Sequence, residues 1–474
     1  MDIVVIMVDA WRADALDITD ATGARLRVAR RLDDWIRFDR YCAAAPWTLP
    51  ACTSLFTGTD SQTHRHYSHE HVLGHASLLE LLADHHRVAV INNSVLTRTS
   101  GLDAGFDEFR YTPDVEAAFD LALEVLQAPG AEPAPPGAGA GVPPRFVFFH
   151  TNVVHDYYQP ASRAYVERYQ PERGNYFDIR YRVLAWRDLT PEQVPGMRAT
   201  YDACVLRLDE RLDEILAAIP DDAAVLLLAD HGEGFEPERA RIHHGGRLHD
   251  DLLRVPCALR LPSTCPEATR RALLDAAGSG AVGTADLFPT LLALAGVTIP
   301  EEHGDLDGVD LAAAGVGRAL VRAEDHRYLY LANRLRLNTN TQGKNTTRRA
   351  RLKNRWWRST VARRHALRAV VVHPFKLVVT ELETTPGLIR LARGVLRRLH
   401  NGDPLVATRG RVWYGIEVFD RATDPGETRN LVRDRPDLAA ALLDVDARAT
   451  GDVDRDSVAA RLLAVLNRDA VAAR

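Results

Sequence analysis

Three uninterrupted apolar runs constrain this chain most, because each stops abruptly at a polar residue. The stretch 2–8 runs into Asp9, 145–150 ends in His150, and 224–232 runs into Asp230 and His231. Runs this short and this rich in Val, Ile, Leu and Phe predict strands buried on both faces. A fourth strand is predicted at 87–92, and helical spacing occurs at 78–86, 114–128, 201–218 and 285–296. Strands that alternate with helices imply an α/β fold with a mostly parallel sheet flanked by helices. In such sheets ligands gather beyond the carboxyl ends of the strands. Asp9, His150, Asp230 and His231 therefore fall where a site is expected.

The residue types there suit a divalent cation. Two carboxylates and an imidazole are donors for Mn²⁺, Zn²⁺, Ca²⁺ or Mg²⁺, with geometry choosing among them. Gly232 follows directly and permits close backbone approach. A second segment, Ala45-Pro-Trp-Thr-Leu-Pro-Ala-Cys-Thr-Ser-Leu-Phe-Thr-Gly58, holds an entry loop fixed by prolines and a short helix predicted to begin near Ala51. Thr48 then has two readings. It is an N-cap, which the local pattern alone favours, or its hydroxyl stands in the anion-attracting field of a helix N-terminus.

With 474 residues the chain suits one large α/β domain and a smaller one, placed at 1–330 and 331–474. Its net charge of −5 gives no reason to expect nucleic acid as a partner. The five cysteines, at 42, 52, 204, 257 and 265, form no CxxC pair, which argues against a disulfide framework or a zinc ribbon. The apolar start is too short for a signal sequence and lacks a basic leader, and no stretch approaches the roughly 20 apolar residues of a transmembrane span. A cytoplasmic location is the expectation. Residues 129–144 read as a Pro/Gly/Ala loop. From Arg334 to Arg368 there are twelve Lys or Arg and no acidic residue, read as a solvated basic insertion in the C-terminal subdomain. Strand-like pieces follow at 369–380 and 411–420.

The order of motifs resembles the sulfatase branch of the alkaline phosphatase superfamily. Thr48-Leu-Pro-Ala-Cys-Thr-Ser-Leu-Phe-Thr-Gly58 resembles the sulfatase signature, with Thr48 in place of the cysteine that becomes formylglycine and Cys52 in place of its arginine. Val8-Asp9-Ala10-Trp11-Arg12-Ala13-Asp14 resembles the first metal-binding strand end, although many sulfatases carry two adjacent Asp there. His150 to Tyr158, Asp230-His-Gly-Glu233, His244 to Pro256, Asp286 to Leu292, Asp307 to Leu311 and Val418 to Leu431 resemble further landmarks.

The resemblance implies an alkaline-phosphatase-like sandwich with a smaller C-terminal α+β subdomain. It also implies a divalent metal ion held by Asp9, Thr48, Asp230 and His231. One ion is favoured and two are possible, with His155 and His244 as histidines for a second, whose expected Asp is Thr151. Thr48 would be the nucleophile, and His155 or His244 would orient the anion or protonate the leaving oxygen. His243 and His249 compete with His244, which precedes Gly-Gly as the family loop does. His64, His66 and His150 are candidates for substrate contact, while most of the run His64, His66, His69, His71 and His75 reads as solvated loop. Lys376 reads as structural. The substrate implied is a small-molecule or lipid-linked anionic ester. Formylglycine cannot form from threonine, so a phosphate mono- or diester is expected. Sulfate ester hydrolysis, phosphoryl or phosphoglycerol transfer, and a non-catalytic anion-binding role are the alternatives.

Overall fold

The structure is a computed structural model. It describes residues 1–67, 77–97, 100–128, 142–171, 190–239, 241–303, 306–325, 364–383, 405–409 and 412–450. His69, His71, His75, the basic run from Arg334 to Arg363 and most of the 129–144 loop lie outside them. The chain divides into two compact units. The first holds Met1–His244 and Asp251–Arg318, the second Gly245–Asp250 and Ala319–Arg474.

The first unit is built on a seven-stranded sheet. Its strands are β1 (Ile3–Val8), β2 (Ile36–Arg37), β3 (His86–Ile91), β4 (Glu108–Tyr111), β5 (Arg145–Thr151), β6 (Ala224–Ala229) and β7 (Cys257–Arg260). The spatial order is β2-β7-β6-β1-β5-β3-β4. β1, β3, β4, β5 and β6 run parallel, and β7 is antiparallel to β6 and to β2. This mixed, mostly parallel sheet is the one the apolar runs predict. β1 and β6 are buried at every position, as strands covered on both faces must be. Val8 is in register with Thr151 on one side and Ala229 on the other, so Asp9, Asn152 and Asp230 leave the sheet at one level.

Four helices matter to the site or to the predictions. They are α1 (Thr48–Thr57), α2 (Val115–Gln127), α3 (Val194–Ala218) and α4 (Leu287–Ala295). α1 starts at Thr48, three residues before the predicted start, since Pro50 is tolerated inside the first turn. It ends at Gly58, whose φ of 66° is left-handed and whose added Cβ would lie 2.8 Å from the Phe288 ring. The Gly58 carbonyl accepts from the amides of Asp307 and Gly308, so the Asp-Gly motif fastens the far end of α1. α3 begins seven residues earlier than its apolar spacing suggests, because a capping box from Thr190 to Gln193 starts the helical path upstream. The helix predicted at 78–86 is a single turn, Leu78–Leu81, because His86 already belongs to β3.

The second unit carries a five-stranded antiparallel sheet. Its strands are β8 (Val321–Asp325), β9 (Arg364–Val372), β10 (Phe375–Glu383), β11 (Leu405–Arg409) and β12 (Val412–Asp420), in the order β8-β9-β10-β12-β11. The piece expected at 369–380 is thus a tight hairpin of two strands, and Arg364–Arg368 belong to β9 rather than to an insertion. Leu442 and Leu443 of α5 (Pro436–Thr450) join Val370, Leu377, Val379, Ile416 and Val418 in its core. Among the described residues no helix is long and apolar enough to cross a membrane.

Candidate active site

The candidate donors come from the ends of β1 and β6. Asp9 is fully buried, and one of its oxygens is committed to the scaffold. Oδ2 accepts from Asn93 Nδ2 at 2.7 Å and from the Thr48 hydroxyl at 3.2 Å. Oδ1 stands 3.2 Å from His231 Nε2 and makes no well-formed hydrogen bond among the described residues. Asp230 repeats the pattern. Its Oδ1 accepts the amides of Ala10 at 3.1 Å and His231 at 2.8 Å, while Oδ2 has no hydrogen-bond partner there. Ala10 is held at φ 61°, a conformation that L-residues rarely adopt, and this turns its amide toward Asp230. The Tyr201 hydroxyl holds the kink, donating to the Ala10 carbonyl and accepting from the Arg12 amide.

His231 completes the group. Its Nδ1 lies 2.8 Å from the Gly232 carbonyl, an acceptor, so Nδ1 carries the proton and Nε2 faces the two carboxylates. Gly232 is obligatory because a Cβ there would fall 2.1 Å from the Asp251 carbonyl oxygen. Asp9, Asp230 and His231 each offer a ligand atom within 4.8 Å of the others.

Two buried carboxylates, each with a free oxygen aimed at one imidazole nitrogen, form a cage that calls for positive charge. The electrostatics agree. Burial alone would raise the Asp9 carboxyl, yet His155, His231 and His150 hold it far below the carboxylate range. Burial opposes the charged form of His231, but Asp230 and Asp9 outweigh it and raise its pKa. The donor set could hold a divalent metal ion, mixing imidazole with carboxylate. A cation must displace the His231 proton. Apparent Mn²⁺ affinity is therefore expected to rise with pH, by about tenfold per unit while His231 is protonated. Titrations between about pH 6 and pH 8 check this sign, and a pH-independent affinity would contradict the role given to His231.

Thr48 is the first residue of α1, and the preceding cap residue is Trp47, so its hydroxyl does not cap the helix. The hydroxyl instead lies 3.2 Å from Asp9 Oδ2 and 3.4 Å from His231 Nε2. Cys52, one turn on, points away and contacts Met7 Sδ at 3.3 Å, and burial lifts its thiol well above the ordinary range.

The histidines divide into groups. The ring of His244 lies 4.3 Å from that of His231 and 5.2 Å from that of His155, so these three form one cluster. Burial works against charge on His155, but Asp9, Asp156 and Glu233 prevail and push it up to about 10. His243 packs on Tyr157 and Tyr158, and burial drives it down to about 4. Glu233 Oε2 approaches His244 Nδ1 at 3.4 Å. His249 belongs to the second unit, 3.8 Å from Glu417. His64 and His66 contact the side of α1: His64 Nε2 lies 3.1 Å from Ser54 Oγ, and His66 Nδ1 lies 2.8 Å from Thr53 Oγ1. His150 is fully buried, 3.7 Å from Asp230 Oδ2.

Asn93 is the residue that sequence reasoning missed. It sits just past β3, and its amide is pinned twice, accepting from the Val95 amide at 2.8 Å and donating to Asp9. The rule that singled out Asp9, a polar residue ending a buried strand, applies equally to Asn92 and Asn93.

Beyond its strand ends this mostly parallel α/β sheet brings together two buried carboxylates, an imidazole and a hydroxyl at a helix N-terminus. The sulfatase family model matches residues 1–297, and the chain belongs to that family. Solved structures agree in fold. A 2-O GAG sulfatase aligns with a TM-score of 0.61 and 16% identity over 96% of this chain and 93% of its own. The phosphonate monoester hydrolase of Agrobacterium radiobacter aligns with a TM-score of 0.58 and 18% identity over 95% of each chain. A protein solved with its substrate D-glucosamine-2-N,6-O-disulfate gives 0.61 and 15% identity over 96% of this chain and 99% of its own. No curated protein matches by sequence.

Proposed function

We propose that this protein hydrolyses phosphate mono- or diesters, with Thr48 as nucleophile. The observation that carries the reading is the Thr48 hydroxyl at the N-terminus of α1, within 3.4 Å of both Asp9 and His231. The position holds a secondary alcohol, which oxidation would turn into a ketone rather than the aldehyde of formylglycine. The nearby Cys52 faces Met7 and offers no substitute. A threonine hydroxyl attacking phosphorus directly gives a phosphothreonine ester that water then cleaves.

Asp9, Asp230, His231 and the Thr48 oxygen would hold the cation. When bound, it supplies charge that favours the Thr48 alkoxide and the anionic ester. Asp9 Oδ2 accepts the Thr48 proton in a hydrogen bond and so orients the oxygen, while Asn93 fixes Asp9 in turn. The start of α1 presents backbone amides whose dipoles favour a bound anion. His155, whose pKa Asp9, Asp156 and Glu233 raise, would give its proton to the departing ester oxygen, with His244 beside it.

Sulfate ester hydrolysis is the second reading, favoured by membership of the sulfatase family. The two separate on p-nitrophenyl phosphate, bis-p-nitrophenyl phosphate and p-nitrophenyl sulfate, assayed with Mn²⁺ and after chelation. The proposal expects turnover of a phosphate ester, at least about tenfold faster in kcat/KM than the sulfate and lost on chelation. Preferential turnover of the sulfate overturns it.

A further inference from the structure

His150 sits one residue before the end of β5, between Met7 of β1 and Ile91 of β3. Its ring is wholly shut off from solvent, and neither nitrogen has a hydrogen-bond partner among the described residues. A buried polar group in that state costs about 1–3 kcal/mol and calls for an explanation. On its own side of the strand the neighbour is Phe148, whose ring lies 6.3 Å away and itself packs on Phe56 of α1. Its Nε2 lies 3.7 Å from Asp230 Oδ2, the oxygen of that carboxylate left free by the scaffold. His231 Nε2 stands 3.6 Å from the same oxygen.

We infer that His150 is a positioning residue of the metal centre: its Nε2, 3.7 Å from Asp230 Oδ2 and with no other partner among the described residues, is the donor that would close on that oxygen and set the direction in which it faces the cation. The inference rests on the reading that Asp230 holds a metal. His150 is not itself in the group of donors that fit one ion together. It acts from below, through Asp230, whose Oδ1 is already fixed by two backbone amides. A hydrogen bond closed across that 3.7 Å gap would remove the remaining freedom of the carboxylate to rotate away from the ion. A buried site also makes substrate contact by this ring a poor use of it. Removing such an outer partner of a metal ligand typically weakens metal binding about 10–100-fold.

The test is Mn²⁺ affinity, measured on the full chain by competition with a chromogenic chelator, together with melting temperature with and without Mn²⁺. His150→Phe keeps a planar ring and removes both nitrogens. His150→Gln restores an amide donor near the Nε2 position. The inference expects His150→Phe to melt, without metal, at or above the wild-type temperature, to bind Mn²⁺ about 10–100-fold more weakly and to gain less stability from it. It expects His150→Gln to bind within about threefold of wild type, since the donor is restored. His150→Leu reads the same loss where the larger ring does not fold. Wild-type affinity in His150→Phe or His150→Leu overturns the inference, as does equal weakening in His150→Gln. A wild-type protein that takes up no divalent cation overturns the metal reading beneath it, and so the two failures are told apart.

Discussion

Thr48→Ala is expected to lower kcat/KM for the preferred ester by about 10⁴-fold or more, about 5.5 kcal/mol of transition-state stabilisation. Thr48→Ser should keep measurable turnover. The argument separates chemistry from folding. Thr48 is the first residue of α1, where its hydroxyl caps nothing, and alanine suits a helix at that position. Asp9 loses one hydrogen bond and keeps the shorter one from Asn93. Melting temperature should therefore move by only a few degrees, about what one lost hydrogen bond costs. A covalent step makes a second readout available. Acid quenching during turnover should trap phosphate on Thr48, seen by mass spectrometry in the wild type and absent from Thr48→Ala. Activity within about tenfold of wild type in the alanine variant would refute the nucleophile assignment.

What was legible in the sequence follows the range of each signal. Buried strands announce themselves locally, as unbroken apolar runs, and the residue at each run's end inherits the position of the site. Asp9, Asp230 and His231 stand at such ends, and the fold brings their ligand atoms within 4.8 Å of one another. Thr48 reads as a hydroxyl near a helix start, but the local pattern puts that start near Ala51. Local propensity reads Pro50 as an obstacle, whereas the first helical turn accepts proline. The predicted helix over 78–86 failed for a related reason. Helical spacing carries on into His85 and His86, but β3 takes His86 to pair with Arg145.

Partnerships across long separations left no local mark. Asn93 touches Asp9 across 84 residues, and its own surroundings read only as the end of a strand. The short segment Gly245–Asp250 belongs to the second unit although its neighbours on both sides belong to the first. Its fasteners are Asp325, which accepts the Gly246 amide, and a charge cluster built from residues up to 177 positions away. No periodicity reports such pairings, because they depend on how the chain returns upon itself.

That cluster gives the largest expected effect on stability. Lys376 is fully buried on β10, with Nζ 2.8 Å from Asp250 Oδ1 and in contact with Glu427 Oε1. Arg421 Nε reaches Asp250 Oδ2 at 2.6 Å, and Glu427 Oε2 accepts the Asp250 amide at 2.9 Å. Burial would raise the Asp250 carboxyl, but Lys376 and Arg421 pull it down to about 2. Burial pushes Glu427 up, against the pull of Lys376. Lys376→Met fills the same space and strands two carboxyl groups beside one cation. Breaking a buried pair from one side costs about 3–5 kcal/mol, far more than the pair contributes over an apolar replacement. The variant should therefore unfold at a clearly lower urea midpoint. Adding Glu427→Gln should restore part of the loss, since it removes one of the two stranded acids. The pH dependence has a definite sign. Asp250 has a folded pKa below its unfolded one, so its contribution is full above about pH 4 and fades as pH falls toward 2. The difference between wild type and Lys376→Met should shrink over that window. A midpoint within error of wild type at neutral pH would show that the cluster tolerates loss of its buried cation, contrary to the account given for Lys376.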